Sequence, residues 1–97
     1  MARRKTETIA AHPGEILRTE FIEPMGITAY QLAKAVHCPG IYDILREERG
    51  ISADVALRLG KYFGMTAQFW MNLQIDYDLR LAAARAPLAK IKPRSAA

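Results

Sequence analysis

The chain has 97 residues, of which 51% are hydrophobic and 25% are charged. This length suits one domain with a modest core, and the composition is that of a globular protein rather than a disordered one. A single cysteine excludes an internal disulfide and fits a reducing compartment. No apolar run approaches the roughly 20 residues that cross a bilayer, and none follows the basic N-terminus. We therefore expect a cytoplasmic protein without a signal peptide or a membrane segment.

The positive charge of the chain lies at its two ends. The formal net charge is +4, and six of the fourteen basic residues belong to the terminal tails, 1–11 and 87–97: Arg3, Arg4, Lys5, Lys90, Lys92 and Arg94. Residues 6–86 carry eight basic and ten acidic side chains, so the central domain, 12–86, has no evident basic face. Basic tails can add salt-sensitive affinity for phosphates, but specific DNA binding by the domain needs a further signal.

Start and stop signals define the first two predicted helices. Proline suits the first turn of a helix, which predicts a first helix over Pro13–Ile22, interrupted by "EPMG" at 23–26. Thr28, followed three residues later by Gln31, forms the clearest capping box in the chain. The second predicted helix therefore begins at Thr28 and continues to Val36.

The stretch "AVHCPGIYDIL", residues 35–45, contains the only adjacent histidine and cysteine. His37 and Cys38 are sequence neighbours whose side chains usually diverge, so they do not form a nucleophile and base pair. A zinc site needs about four ligands at characteristic spacing, and the sequence does not supply them. Because Pro39 disfavours helix at Cys38 and suits the start of a new helix, the pair indicates a tight connection between two helices. We predict no enzymatic activity, no metal and no cofactor.

The third predicted helix, Pro39–Glu47, has a buried and an exposed face. Ile41, Ile44 and Leu45 recur at helical spacing, which predicts that they face inward. Two short helices with a tight connection are typical of a helix-turn-helix, whose second helix enters the major groove of DNA. The candidate DNA contacts are Gln31, Lys34, Pro39, Tyr42, Asp43, Arg46 and Arg49.

We assign Tyr42, Asp43 and Arg46 to bases and nearby phosphates, because arginine binds guanine or phosphate and tyrosine can contact a phosphate or a thymine methyl. Gln31, Lys34 and Arg49 are assigned to the DNA backbone. The alternative is an ordinary helical hairpin with a solvated face, since residues 28–51 contain three basic and three acidic side chains.

A fourth helix is predicted from the Ser52 cap to Gly64, with Val55, Leu59 and Phe63 buried. A fifth begins after Thr66 and ends before Pro87. This last helix has two apolar stripes on nearly opposite sides: Phe69, Trp70, Leu73, Tyr77 and Leu81 form the first, and Met71, Ile75 and Leu79 the second. Asn72 and Gln74 are interpreted as surface or interface amides.

One apolar stripe is enough for a surface helix, so the second stripe must pack against something. We favour a homodimer interface formed by Met71, Ile75 and Leu79. The alternative is that the C-terminal tail folds back over Met71 and Ile75.

Four segments together resemble HigA-type antitoxins of the Xre/Cro helix-turn-helix class, also known as virulence-associated protein I. They are "HPGEIL" at 12–17, "QLAKAV" at 31–36, "RGISADVALRLGKYFG" at 49–64 and "FWMNLQIDYDL" at 69–79. The resemblance implies an all-α, five-helix, lambda-repressor-like domain with a long C-terminal dimerisation helix, here 66–86. It also implies a dimeric autorepressor that binds a palindromic double-stranded operator and neutralises a HigB-type toxin, a small ribonuclease of the RelE fold.

The chain departs from this family at the turn. Relatives usually have glycine in place of His37 and about two more residues before the isoleucine that matches Ile41. Glu47 and Glu48 stand where relatives often have glycine and lysine. Two helical residues rotate side chains by about 200°, so the start of the recognition helix must be reshaped. The fold should persist, and two other functions stay open: a toxin-binding module that has lost specific DNA binding, and a repressor without a toxin.

Overall fold

The computed structural model describes residues 11–95, which form five helices and no β-strand. The first helix, α1, comprises Pro13–Ile16, the π-helical segment Leu17–Ile22 and a last turn, Glu23–Met25. The remaining elements are α2 (Ala29–Ala35), α3 (Ile41–Leu45), α4 (Ala53–Phe63), α5 (Ala67–Arg85) and a short 3-10 turn, Leu88–Lys90. Most of the predicted N-terminal tail, including its three basic residues, lies outside the described residues. No described helix is long and apolar enough to span a membrane.

Helix caps follow the sequence prediction closely. The Thr28 hydroxyl accepts the Gln31 backbone N–H at 3.0 Å, and the Gln31 side chain accepts the Thr28 N–H at 2.8 Å, which completes the capping box. Ser52 and Thr66 cap α4 and α5 with their hydroxyl groups, which accept the backbone N–H of Val55 and Phe69, respectively. Gly64, with φ 72°, ends α4 in the left-handed conformation that glycine adopts without steric cost.

The first helix is longer than predicted. It continues through Pro24 to Met25 and ends at Gly26, whose φ is 70°. The helix does end within "EPMG", as predicted, but its last helical residue is Met25 rather than Ile22. The Glu23 N–H bonds to the Arg18 carbonyl five residues back, which is the π-helical pattern. This wider turn shifts the hydrogen-bond register, so a proline without an N–H is accommodated inside the helix.

The core contains most of the residues that the helical periodicity assigns to it, although Phe63, predicted to be buried, is only partly buried. Ile41 and Ile44 are fully buried and Leu45 is 8% exposed, as predicted for the inner face of α3. Trp70 of α5 is also fully buried, and three phenylalanine rings surround it. The distances between ring centroids are 4.8 Å to Phe21, 5.7 Å to Phe63 and 5.1 Å to Phe69. This cluster joins α1, α4 and α5.

The start of α1 lies directly against the backbone of α3. A Cβ atom on Gly14 would overlap the carbonyl oxygen of Ile44, so only glycine permits this approach. One turn later, Arg18 donates to the Leu45 carbonyl at 2.7 Å and pairs with the Glu47 carboxylate at 3.3 Å. The helix α1 therefore supports α3 from behind and sets its position.

Candidate nucleic-acid interface

The helices α2 and α3 form a helix-turn-helix, but α3 is shorter than predicted. It covers Ile41–Leu45 rather than Pro39–Glu47. Pro39 and Gly40 form a turn in which the Ile41 N–H bonds to the Cys38 carbonyl at 3.2 Å. Glu47 has φ 64° and stands outside the helix. The boundaries differ because backbone hydrogen bonds, rather than the apolar spacing, determine where a short helix ends.

The end of α2 explains the stretch "HCPG". His37 has φ 54°, and its N–H bonds to the Lys34 carbonyl at 3.2 Å. The Cys38 N–H bonds to the Ala33 carbonyl at 2.9 Å, which completes a Schellman motif with His37 in the left-handed position. Glycine usually occupies this position because it adopts the left-handed conformation without steric cost. The histidine and cysteine thus lie in a helix-ending turn.

Arg58 of α4 supports this turn from a distance. Its Nη1 donates to the carbonyl oxygens of Val36 and His37, both at 2.9 Å, and its Nε pairs with Asp54 at 3.0 Å. The last carbonyls of a helix lack intrahelical partners, and a guanidinium is a suitable donor for them. Sequence reasoning missed this role, because the two carbonyl groups that Arg58 binds lie 21 and 22 positions away and carry no local signal.

Replacing His37 by glycine should stabilise the protein. A left-handed conformation costs a non-glycine residue roughly 1–2 kcal/mol, and glycine loses roughly 0.5–1 kcal/mol more entropy on folding, so we expect a net gain of about 0.5–1 kcal/mol. For a domain of this size the midpoint of thermal unfolding should rise by about 2–8 °C. Circular dichroism measures this midpoint. Glu47→Gly is the comparison variant, with a smaller expected gain because it loses the Arg18 ion pair. An unchanged or lower midpoint for His37→Gly would contradict the expectation.

The recognition helix ends in a second Schellman motif. The Glu48 N–H bonds to the Asp43 carbonyl at 2.8 Å, and the Glu47 N–H bonds to the Ile44 carbonyl at 2.9 Å. Glu47 therefore occupies another position that suits glycine, and its ion pair with Arg18 ties it to α1. Contacts with distant elements thus stabilise the C-terminal ends of both helices: Arg58 of α4 binds the end of α2, and Arg18 of α1 pairs with Glu47 after α3.

The exposed side of α3 carries a network of ion pairs. Arg46 donates to the Asp43 carboxylate at 2.6 Å and to Glu48 at 3.4 Å. Arg49 lies with its Nη2 3.5 Å from the other carboxylate oxygen of Asp43. Arg46 and Arg49 are 58% and 57% exposed, so both remain accessible to a polyanion. A phosphate or a guanine that binds either arginine competes with Asp43.

The predicted contacts on α2 lie beside this network. Gln31 and Lys34 are exposed, and the Lys34 ammonium lies 5.6 Å from the centroid of the Tyr30 ring. A groove between α2 and the start of α3 is lined in part by Lys34, Tyr30, Pro39 and Tyr42. All seven predicted DNA-contact residues therefore belong to α2, α3 and the segments that adjoin them.

Behind the recognition helix, α5 holds the loop that follows it. The Gln74 side-chain oxygen accepts the Ile51 backbone N–H at 2.7 Å. A Cβ on Gly50 would lie 2.8 Å from that oxygen, so glycine permits the close approach. Gln74, interpreted from the sequence as a surface or interface amide, is partly exposed and has a further role: it fixes the backbone after α3. The residue spacing does not reveal this role, since Gln74 and Ile51 are 23 residues apart.

The second apolar stripe of α5 divides between core and surface. Met71 packs partly against the core, whereas Ile75 and Leu79 are 45% and 64% exposed. The described part of the C-terminal tail leaves them uncovered and is itself exposed at Leu88 and Ile91. Two exposed apolar side chains one turn apart thus lie on the outer face of α5.

His12 caps α1 with its ring. Its Nδ1 accepts the Gly14 N–H at 2.9 Å, and the ring packs edge-on against Tyr77 with centroids 4.9 Å apart. Burial lowers the pKa of His12 below its ordinary value of 6.5, although the nearby carboxylates of Glu47 and Asp78 act in the opposite direction. A protonated Nδ1 could no longer accept the capping hydrogen bond.

Stability should therefore decrease as the solution becomes acidic. The unfolded chain protonates His12 near pH 6.5, whereas the folded protein resists protonation there, so the free energy of unfolding falls as the pH drops below this value and levels off below the folded pKa. Urea unfolding between pH 8 and pH 5 measures the effect. His12→Asn retains a capping side chain that does not titrate, and it should lose this part of the dependence. Identical pH profiles for the two proteins would contradict the expected role of His12.

The thiol of Cys38 is free and half-buried. Among residues 11–95, no group of three or more histidine, cysteine, aspartate or glutamate side chains is arranged to hold a metal ion.

The fold and the exposed face of α3 are those of a helix-turn-helix protein. No family model matches the chain. The chain is similar to virulence-associated protein I of Dichelobacter nodosus, with 56% identity over 80 residues that cover 80% of this chain and 74% of the relative.

Two solved structures are also similar. PA4674 of Pseudomonas aeruginosa, in complex with its operator DNA, is 49% identical with a TM-score of 0.83, and the match covers 90% of this chain and 97% of that chain. The Pseudomonas aeruginosa antitoxin HigA, with the higBA promoter, is 50% identical with a TM-score of 0.79, over 86% of this chain and 96% of that chain. The chain belongs to the HigA antitoxin family of helix-turn-helix proteins, as the sequence resemblance implied.

Proposed function

We propose that this protein is the antitoxin of a type II toxin–antitoxin pair and a homodimeric repressor of its own operon. The observation that carries the proposal is its likeness to two proteins solved with operator or promoter DNA, at 49% and 50% identity. The exposed arginines of the helix-turn-helix supply the chemistry that such binding needs. The protein would act in the cytoplasm, without a cofactor.

In this proposal α3 lies in the major groove. Tyr42 and Arg46 contact bases or nearby phosphates. Arg46 is exposed on the outer side of α3, whereas Tyr42 is half-buried and packs partly against the core. Gln31 and Lys34 contact the DNA backbone from α2, and Pro39 lies against the groove edge. Arg46 exchanges its Asp43 partner for DNA, and the loss of this exposed ion pair costs little.

The dimer forms through the outer face of α5. Ile75 and Leu79 supply its apolar centre, with Met71 at the junction between interface and core. A two-fold dimer presents two recognition helices to the two halves of a palindromic operator. The proposed partner in neutralisation is a HigB-type ribonuclease of the RelE fold.

Fluorescence anisotropy tests the DNA-binding half of the proposal. The purified protein is titrated against the duplex upstream of its own operon and against a scrambled duplex, at two salt concentrations. Tight binding to the upstream duplex alone is expected. Equal and steeply salt-sensitive binding to both duplexes would instead indicate phosphate contacts by the basic tails, and would favour the toxin-binding module without specific DNA recognition.

A toxin assay tests the other half. A small basic reading frame directly upstream in the operon identifies the candidate toxin, and its product is expected to cleave messenger RNA less as this protein is added. Operator binding with no such reading frame, or with no inhibition, would favour the repressor without a toxin. Catalysis by this chain forms no part of the proposal, and unaltered DNA and toxin binding by Cys38→Ser would agree with that.

A further inference from the structure

Arg49 comes after the recognition helix, but its guanidinium lies beside the start of that helix. Its Nη1 is 2.5 Å from the position that a Cβ on Gly40 would take, and its Nη2 is 3.5 Å from the Asp43 carboxylate. Gly40 and Asp43 are three residues apart and share one face of the first turn. The side chain therefore folds back along α3, and 57% of it remains exposed.

This location matters because the N-terminal residues of a recognition helix make its base contacts. The two residues that lead into α3, Pro39 and Gly40, have no polar side chain. The Arg49 guanidinium lies in the space that a side chain at position 40 would fill. An arginine at this point can reach O6 and N7 of a guanine with two hydrogen bonds.

We infer that Arg49 is a specificity-determining residue, which reads a base at the start of the recognition helix, where Pro39 and Gly40 offer no polar side chain. This inference rests on the proposed operator binding and changes the role of Arg49 from a backbone contact to a base contact. It adds a second base-reading side chain, besides Tyr42, to the first turn of a helix of only five residues, Ile41–Leu45.

Two other residues position Arg49. Asp43 uses one carboxylate oxygen for Arg46 and the other for Arg49, so it holds both guanidinium groups on the same side of α3. Gly40 leaves the space for the Arg49 side chain. The φ of Gly40 is −62°, which any residue adopts, so alanine there displaces the flexible end of Arg49 rather than straining the backbone.

The test measures the ratio of affinities for the upstream duplex and the scrambled duplex by fluorescence anisotropy. Arg49→Ala should lower this ratio about 10- to 100-fold, the loss expected for one bidentate base contact. Gly40→Ala should lower the ratio in the same direction while the thermal midpoint stays near that of the wild type. Asp43→Ala should also lower the ratio, and should strengthen binding to the scrambled duplex, because it removes a repelling charge and releases two arginines.

The double variant Gly40→Ala with Arg49→Ala separates a positioning role from a general structural one. If Gly40 acts through Arg49, the ratio for the double variant equals that for Arg49→Ala alone. Arg94→Ala, which removes one guanidinium from the C-terminal tail, is the charge-matched control and should leave the ratio unchanged.

An equal loss of affinity for both duplexes in Arg49→Ala would mean that Arg49 contacts only phosphate, which overturns the inference and leaves the proposed function standing. Additive effects in the double variant would overturn the role of Gly40. A wild-type protein with no preference for the upstream duplex would overturn the proposed operator recognition and the inference together.

Discussion

Replacing Trp70 by alanine is expected to lower the free energy of unfolding by about 3–5 kcal/mol, the range for truncating a large buried aromatic side chain. Trp70 is fully buried, and its ring lies within 4.8–5.7 Å of three phenylalanine centroids that belong to α1, α4 and α5. Small domains are stable by only about 5–15 kcal/mol, so the variant should be close to unfolded at physiological temperature. Urea denaturation monitored by circular dichroism measures the change.

Trp70→Phe provides the matched comparison. Within the described part of the chain, the buried indole N–H of Trp70 has no hydrogen-bond acceptor. An unpaired buried donor costs about 1–3 kcal/mol, so its removal should offset part of the lost volume. The phenylalanine variant should therefore be far more stable than the alanine variant. Equal destabilisation by both substitutions would mean that the fit of the indole, rather than aromatic bulk, dominates.

Introducing Ile75→Asp together with Leu79→Asp should convert the proposed dimer to a monomer. Two carboxylates on the outer face of α5 would have to lose their hydration at the interface, where they have no partners. Two linked recognition helices bind a duplex much more tightly than a single recognition helix does. The operator affinity of the monomeric variant should therefore fall by about 100- to 10,000-fold. Sedimentation equilibrium measures the mass, and anisotropy the affinity.

Leu57→Asp is the matched control for this experiment. Leu57 and Leu79 are both 64% exposed, but Leu57 lies on α4 rather than on the proposed interface. Leu57→Asp should leave the dimer intact. A dimer that persists in the α5 double variant, or that dissociates in Leu57→Asp, would remove the outer face of α5 from the interface.

The helix starts were predictable because their signals are local. A cap such as that of Thr28 and Gln31 depends on hydrogen bonds between residues three positions apart, and these bonds form wherever the sequence places them. The inward face of α3 was predictable for a similar reason, since the spacing of Ile41 and Ile44 fixes which side is apolar. The predicted end of α1 was wrong because a π-helical turn allows the helix to continue through Pro24. No local sequence pattern distinguishes a helix that continues through a proline in this way from one that ends before it.

The position of the predicted DNA-contact residues in the helix-turn-helix followed from the sequence, but their mutual arrangement did not. The sequence indicated which side chains surround α3, and these residues do lie on or beside it. It did not indicate that Asp43 binds two arginines or that Arg49 lies against Gly40. Long exposed side chains have several rotamers of similar energy, so their partners depend on the surrounding shape rather than on sequence spacing.

The sequence by itself determined the all-helical class, the start of every helix except α3, the helix-turn-helix and the family. Those features follow from hydrogen bonds and apolar periodicity within a few residues. The tertiary structure alone decided how the recognition helix is held. Gly14 lies against the Ile44 carbonyl, Arg58 binds the end of α2, and Gln74 fixes the loop after α3. These contacts join residues more than 20 positions apart, and their geometry exists only once the helices have packed.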